Sequence, residues 1–267
     1  MKIPGVNEDL THAPDLVASL GSGLGRPMVL LAETSSTNDV ATRAARDGAP
    51  HGATWVAEQQ TRGRGRRGHA WVSPAGEGLL FSVLVRVACA PARIPPIALV
   101  AGLAVRDAVA ATSGAVVEIK WPNDVLVGGR KLAGVLVEAV TVGSRVEAIV
   151  IGIGINVHTR SFPDEIVATA TSIALVSSPS SAPPDRAAIL ASVLASLDRD
   201  VHVVVGRGLG LLHGRLEQAD ALRGRRVRSD GGEEGLASGI DDDGRLLVRR
   251  DDGILTRWSA GEVHLVR

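Results

Sequence analysis

Four arginines and three glycines are concentrated in one short stretch, the arginine loop (residues 61–70). The seven positions are Arg62, Gly63, Arg64, Gly65, Arg66, Arg67 and Gly68. The glycines free the backbone to donate main-chain N–H groups, and guanidinium groups bind phosphate or carboxylate oxygens in pairs. The pattern predicts a loop that wraps a small polyanion such as a phosphate ester. Without that anion the loop is expected to fray, because its arginines then only repel one another.

Lysine is rare in this chain. Of 29 basic residues, only three are lysines: Lys2, Lys120 and Lys131. Arginine is therefore the default cation, and a retained lysine indicates a need for a compact point charge that a planar guanidinium does not supply. Lys120 and Lys131 lie on either side of Asn123 and Asp124. These positions are therefore candidate functional residues.

Three further motifs suit a nucleotide. In KWPND (120–124), the amide of Asn123 could bind a purine edge, and Asp124 beside phosphates could bind Mg²⁺. GRKLAGVLVE (129–138) places Gly134, where a ligand can approach the backbone closely, just after Lys131. GIGINV (152–157) places Asn156 at a predicted strand end. Taken singly, each motif also fits a packing glycine or a turn asparagine, so their combination carries the information.

Composition limits the class of protein. The formal net charge is zero and aromatic residues make up 2% of the chain. A nucleic-acid-binding module, the alternative from a different class, would have a broad basic face and aromatic side chains for stacking, and the composition argues against it. The single cysteine, Cys89, excludes an internal disulfide and is expected in the core. We find no apolar stretch near the roughly 18 residues of a membrane span and no signal-peptide core, and therefore expect a cytoplasmic protein without a membrane partner.

The order of predicted elements indicates an α+β fold. Strands are predicted at 28–34, 53–60, 78–88, 115–120, 125–127, 132–140 and 144–157, and helices from the SSTND cap to Asp47 and at 95–114, 185–205 and 209–222. Short turns between consecutive strands favour a mixed, largely antiparallel sheet with packed helices. Residues 1–27 are expected to be irregular. The short alternating runs of residues 223–267 predict a small C-terminal SH3-like β-barrel.

Together, the motifs resemble the catalytic domain of biotin protein ligases (biotin–[acetyl-CoA-carboxylase] ligases). The matching stretches are SSTN, AEQQTRGRGRRG, the following W-V-S-P, KWPND, KLAGVLVE and GIGIN, over about residues 28–210. The resemblance implies a catalytic domain over 28–222 with the fold of class II aminoacyl-tRNA synthetases, followed by that family's small C-terminal domain. A sister family on the same fold, the lipoate or octanoate ligases and transferases, favours a glycine triplet followed by histidine. No such triplet occurs here.

The resemblance also implies a reaction and its ligands. The carboxylate of biotin attacks the α-phosphorus of ATP, which gives biotinyl-5′-AMP and pyrophosphate. The acyl group then passes to one lysine of a biotin carboxyl carrier protein. Biotin, ATP and Mg²⁺ are the implied ligands, and the carrier protein is the implied partner.

The implied site residues form overlapping groups. The implied catalytic residues are Lys131, which would stabilise charge at the α-phosphorus, and Arg64 and Arg66, which would close over the acyl phosphate. The implied biotin-binding residues are Ser36, Thr37, Asn38, Gln60, Arg64, Gly65, Arg66, Lys131, Gly134 and Gly154. The implied ATP-binding residues are Arg67, Trp71, Lys120, Asn123, Asn156 and Arg267, and the implied metal ligand is Asp124.

The sequence departs from the family pattern in two places. His69 stands where the family often has another arginine, which weakens one phosphate contact at neutral pH. Some members begin with a DNA-binding helix-turn-helix, and the 27 residues before the first predicted strand are too few for one. We therefore expect no DNA partner. The sequence leaves open whether the protein is a monomer or a homodimer.

Overall fold

The computed structural model describes residues 3–143, 145–178 and 182–266, which form two β-sheets and their covering helices. The strands are β1 (Met28–Thr34), β2 (Thr54–Gln60), β3 (Gly78–Cys89), β4 (Val117–Lys120), β5 (Asp124–Val127), β6 (Arg130–Val142), β7 (Arg145–Asn156), β8 (Arg226–Ser229), β9 (Glu234–Ile240), β10 (Leu246–Arg249), β11 (Leu255–Trp258) and β12 (Val263–Leu265). The α-helices are α1 (Glu8–Thr11), α2 (Ala13–Ser19), α3 (Thr37–Arg46), α4 (Pro95–Ser113), α5 (Ile173–Val176), α6 (Arg186–Arg207) and α7 (His213–Ala219).

The larger sheet has the strand order β1-β2-β3-β7-β6-β5-β4. β1 and β2 run parallel, and every other neighbouring pair is antiparallel. Strand β3, in the interior of the sheet, is apolar over most of its length, as expected for a strand covered on both faces. The predicted mixed, largely antiparallel sheet with packed helices is confirmed.

The two faces of this sheet are covered unequally. On one face α4 and α6 pack over the main core, and α4 is buried on nearly all sides. On the other face lies α3, whose buried positions include the small residues Ala41 and Ala45. Because α3 has only ten residues, it covers part of that face and leaves the neighbouring ends of β6 and β7 accessible.

The smaller sheet is an antiparallel barrel with the strand order β11-β10-β9-β8-β12. Its alternating buried positions include Val227, Leu246 and Val248, as the sequence pattern predicts for small curved strands. Trp121 links it to the larger sheet, because its buried indole N–H donates to the carbonyl of Gly244 at 2.9 Å. The SH3-like barrel is confirmed, whereas the domain limits 28–222 and 223–267 stay predictions.

The N-terminal segment corrects one prediction. Residues 1–27 were expected to be irregular, but α1 and α2 form within them. Leu10, Ala13 and Val17 are buried there in the main core. Their spacing of three and four residues gives a short apolar face, which stabilises these helices by packing despite their length.

Helix α4 corrects a second prediction. Among the residues that the structure describes, one helical segment, Pro91–Ser113, is long and apolar enough to cross a membrane by length and composition. The expectation that no stretch approaches that length is therefore wrong for this segment. In this fold 61% of its most apolar window is buried inside the protein, as in a core helix.

A buried arginine fastens the N-terminal segment to the sheet. The side chain of Arg186, at the start of α6, is fully buried and pairs with Asp9 at 2.6 Å and Glu58 at 2.7 Å. It also donates to the carbonyl of Gly78 at 3.1 Å. Burial by itself would raise the pKa of Asp9, but hydrogen bonds from Arg186 and His158 outweigh burial and hold that pKa well below its usual range.

We expect the Asp9 contact to stabilise the fold above about pH 4. A carboxyl whose pKa is lowered on folding contributes stability above its unfolded pKa, and that contribution is lost as the pH falls through the lower folded value. Asp9→Asn should therefore lower the melting temperature by a few degrees at neutral pH, and the difference from the wild type should shrink below about pH 4. Thermal unfolding from pH 2 to 8 measures this; a difference that grows as the solution becomes more acidic would contradict it.

Candidate active site

The predicted motifs meet around one cavity of about 330 Å³ on the α3 side of the larger sheet. Its wall is formed by the start of α3, the arginine loop, the KWPND segment and the glycine-bearing ends of β6 and β7. The predicted site residues that line it are Ser36, Thr37, Asn38, Gln60, Arg64, Gly65, Arg66, Trp71, Lys120, Asn123, Asp124, Lys131, Gly134 and Gly154.

A chain of buried hydroxyl and amide groups forms one part of the wall. The backbone N–H and the hydroxyl of Thr37 lie 2.7 and 3.0 Å from Gln60 Oε1. Ser82, fully buried on β3, places its hydroxyl 2.8 Å from Thr37 Oγ1 and 2.6 Å from Asn38 Oδ1. The chain fixes the side chains of Thr37, Asn38 and Gln60. Sequence reasoning missed Ser82, although a lone hydroxyl inside an apolar strand was a signal for it.

The amide of Asn38 is already occupied by protein groups. Its nitrogen donates to Glu138 Oε2 at 2.7 Å and to the carbonyl of Leu136 at 3.4 Å, while its oxygen accepts from Ser82. Direct binding of a ligand by Asn38 stays a prediction. The three protein partners fix the orientation of this amide. Its nitrogen faces two acceptors, the Leu136 carbonyl and the Glu138 carboxylate, and its oxygen faces a donor, the Ser82 hydroxyl.

Glycines at the ends of β6 and β7 make room for the side chains above them. A Cβ atom at Gly152 would overlap Asn38 Oδ1, and one at Gly154 would lie 2.5 Å from Cε2 of Trp71. At Gly134 a Cβ would come 3.2 Å from the Trp71 ring and 3.3 Å from Cε of Lys131. Because the alternating glycines of GIGIN have no Cβ atom, the side chains of Asn38 and Trp71 can lie directly on the strand backbone.

Gly152→Ala is expected to raise the KM for biotin, the ligand that the motif resemblance implies, about tenfold. The new methyl group would displace Asn38 and break at least one part-buried hydrogen bond, and about 1.4 kcal/mol corresponds to tenfold. Gly206→Ala is the matched control, since Gly206 has nothing near its Cβ position. Steady-state kinetics of both variants measure the effect. An unchanged KM in Gly152→Ala would show that Asn38 does not need its present place.

Lys131 lines the cavity and forms an ion pair. Its Nζ is 2.7 Å from Asp124 Oδ1 and 5.6 Å from the ring centroid of Trp71. The indole nitrogen of Trp71 is buried without a hydrogen-bond partner among the described residues. When a charged ligand enters, Lys131 can therefore leave Asp124 and bind an anion, and Asp124 can bind a cation.

The arginine loop contacts other parts of the protein, which corrects the expectation that its arginines only repel. Arg64 pairs with Asp39 at 2.6 Å and with Glu138 at 3.1 Å. Arg66 Nη1 lies 3.3 Å from Asn123 Oδ1. Burial lowers the pKa of Arg66, an effect that nearby Asp124 opposes, and the guanidinium stays charged at any ordinary pH.

Three contacts join the arginine loop to the C-terminal barrel. Arg66 Nη1 lies 3.3 Å from the carbonyl of Gly261, and His69 Nε2 lies 3.0 Å from Glu262 Oε1. Arg67 forms an ion pair with Asp230. Glu262 and Val263 of the barrel also line the cavity. Sequence reasoning missed this contribution, because nothing in the barrel motif indicates which side chains turn toward a loop 200 residues earlier.

Two predicted nucleotide residues do not line the cavity. Arg67 points to Asp230 of the barrel and does not line the cavity. Asn156 is buried at the end of β7, and its amide donates to the carbonyl of Thr171 at 3.0 Å. Their contacts with ATP stay predictions. The predicted contact of Arg267 falls outside the described residues.

Comparison with known proteins decides the family. Residues 30–156 match the biotin/lipoate A/B protein ligase family, and residues 224–266 match the biotin protein ligase C-terminal domain. The biotin--[acetyl-CoA-carboxylase] ligase of Mycobacterium tuberculosis is 38% identical over 240 residues, which are 86% of this chain and 86% of that protein. The chain belongs to the biotin protein ligase family. The resemblance inferred from the motifs, and with it the prediction of a ligase, is confirmed.

Other members of the biotin protein ligase family agree with this assignment. The bifunctional ligase/repressor BirA of Bacillus spizizenii is 34% identical over 89% of this chain and 74% of its own length. A biotin protein ligase from Aquifex aeolicus, solved with biotin and ATP, superposes with a TM-score of 0.77 at 28% identity, over 91% of this chain and 99% of that one. The match extends across both sheets, so this ligase shares the catalytic fold and the barrel of its relatives.

Proposed function

We propose that this enzyme activates biotin with ATP to biotinyl-5′-AMP and transfers biotin to a lysine of a biotin carboxyl carrier protein. One observation carries the proposal: Lys131, Arg64 and Arg66 converge on a single cavity. The wall of this cavity also holds Ser36, Thr37, Gln60, Asn123 and Asp124. The cations suit an acyl phosphate, and the hydroxyl and amide groups suit the flat ureido ring of biotin.

The two half-reactions place different demands on these residues. In the first, a carboxylate oxygen of biotin bonds to the α-phosphorus of ATP, the bond to the β-phosphate oxygen breaks and pyrophosphate leaves. Lys131 would stabilise the negative charge that builds on the phosphoryl oxygens. In the second, the carrier lysine amine bonds to the acyl carbon, AMP leaves with the bonding electrons, and the amine loses a proton.

Among the described residues, two carboxylates line this cavity, Asp124 and Glu262, and Glu262 already pairs with His69. Asp124 carries oxygen donors of the kind that Mg²⁺ prefers, whereas the oxygen of the adjacent Asn123 accepts from Arg66. We propose that Asp124 binds Mg²⁺ together with phosphate oxygens of ATP. Mg²⁺ held by Asp124 would supply positive charge beside the phosphates, and Lys131, which pairs with Asp124 in this structure, would then be free to contact the phosphoryl oxygens.

Two relatives carry the name biotin--[acetyl-CoA-carboxylase] ligase, which supports a carboxyl carrier protein as the acceptor. The absence of a DNA partner, the choice between monomer and homodimer, and a cytoplasmic location stay predictions.

The principal rival is a lipoate or octanoate ligase, since one family model covers both kinds of protein. A plain alkyl chain would leave the part-buried groups around Thr37 and Gln60 without a ligand partner, which costs affinity and favours biotin.

Exchange of labelled pyrophosphate into ATP tests the function. We expect exchange that depends on biotin and on Mg²⁺, with lipoate and octanoate at least a hundredfold poorer, because a site built for polar groups rejects an analogue that lacks them. Exchange driven by octanoate or lipoate but not by biotin would replace the proposal with the rival. If none of the three acids supports exchange, the proposed adenylating activity is wrong.

A further inference from the structure

Glu138, the last residue of the KLAGVLVE motif, contacts two side chains that line the cavity, Asn38 and Arg64. Its Oε2 atom accepts from Asn38 Nδ2 at 2.7 Å and from Arg64 Nη2 at 3.1 Å. The side chain is 29% exposed, which makes it less accessible than Arg64 at 42%. One carboxylate oxygen thus joins the start of α3, the arginine loop and β6.

We propose that Glu138 is a positioning residue that couples closure of the arginine loop to the orientation of Asn38 in the biotin site. The proposal rests on the proposed function. Asp39 shares Arg64 with Glu138 but has no hydrogen bond with Asn38. The coupling therefore passes through Glu138, whose single oxygen serves both donors.

The opposite end of Asn38 explains why a movement of Glu138 would reach the site. Ser82 fixes the oxygen of that amide, and Gly152 lies directly beneath it. Asn38 is 4% exposed, so its amide has little room to swing without losing a partner. When Arg64 leaves Glu138, the Oε2 atom loses one of the two donors that hold it, and the acceptor of the Asn38 nitrogen is then less firmly positioned.

The loop itself supplies a direct readout, since trypsin cleaves after its arginines when it opens. In the ligand-free protein we expect Glu138→Gln to increase cleavage within residues 61–70 by about two- to fivefold, the range for loss of an exposed ion pair. Glu138→Ala should do at least as much. Glu147→Gln, an exposed glutamate near the start of β7, is the matched control and should cleave at the wild-type rate.

Biotin kinetics separate the two contacts of Glu138. Glutamine keeps an acceptor for Asn38 but loses the charge that holds Arg64, whereas alanine loses both. We therefore expect the KM for biotin to rise about tenfold in Glu138→Ala and clearly less in Glu138→Gln, with kcat for adenylate formation reduced less than the KM is raised. Equal loss of kcat in both variants at constant KM would overturn the proposal.

The cleavage experiment and the biotin kinetics together distinguish a failure of this proposal from a failure of the proposed function. If the wild type shows no biotin-dependent exchange, the function fails, while the cleavage experiment still tests the Glu138–Arg64 contact. If exchange is present but both Glu138 variants match Glu147→Gln in cleavage and in KM, the positioning role is wrong and the function stands. Glu138→Gln preserves side-chain size, so the test does not depend on the fold surviving the alanine substitution.

Discussion

Lys131→Ala should lose adenylate formation by two to three orders of magnitude while biotin still binds measurably. A donor that stabilises developing negative charge typically contributes about 100- to 1000-fold, and a charged donor contributes at least as much. Biotin binding should survive because the Thr37–Gln60–Ser82 hydrogen bonds do not involve Lys131. Single-turnover formation of biotinyl-AMP and calorimetric titration with biotin measure the two quantities separately.

Two substitutions sharpen this result. Lys131→Arg should rescue poorly, because the planar guanidinium is wider than an ammonium and would meet the Trp71 ring and Asp124 at once. Lys120→Ala removes the other lysine of the cavity wall, which has no ion pair among the described residues, and should lose much less activity. Near-normal turnover in Lys131→Ala would exclude that residue from the chemical step.

The second large effect is expected from Arg66→Gly, which should release biotinyl-AMP about ten- to a hundredfold faster than the wild type. Arg66 lines the cavity and bonds to Asn123 on one side and to the Gly261 carbonyl of the barrel on the other. Its loss would remove a charge-assisted contact worth roughly 1.5–3 kcal/mol and one link between loop and barrel. Synthesis should continue in part because Lys131 and Asp124 remain.

A released mixed anhydride acylates exposed amines, so the Arg66→Gly protein should attach biotin to bystander proteins in proportion to their accessible lysines. Streptavidin blots of an added non-carrier protein measure this. Arg62→Gly is the matched control from the same loop, since Arg62 is exposed and does not line the cavity. If Arg66→Gly instead fails to bind biotin and labels nothing, the loop forms the pocket and does not retain its product.

Much of the site could be predicted from the sequence because its residues lie in short local motifs. A continuous apolar run indicated β3, and the glycines of GIGIN indicated close approach to the backbone of β7. The contacts of Glu138, Ser82 and Glu262 could not be predicted in this way. Each of them depends on which distant segments meet, and a partner 44 or more residues away leaves no local pattern.

The two expectations about the fold that failed have different physical causes. Glycine and proline in residues 1–27 suggested irregular chain, but burial of Leu10 and Val17 against the core outweighs weak local preference. In α4 the apolar length was underestimated because Arg106 and Asp107 interrupt it near its C-terminal end. Those charges pair with each other, and Asp107 also pairs with Arg215, so the helix keeps them at the protein surface while most of the preceding part, Pro96–Val105, is buried.

Trp71 gives the protein its own optical probe. The other three tryptophans, Trp55, Trp121 and Trp258, are buried in the folded cores. Trp71 lies on the cavity wall beside Lys131, and its indole nitrogen has no hydrogen-bond partner in the part of the chain that the structure describes. A ligand that separates Lys131 from Asp124 would change the field on this indole more than on any other. The intrinsic tryptophan fluorescence should therefore follow occupancy of the cavity in real time without an attached dye. In Trp71→Phe, the ligand-dependent part of this signal should be lost.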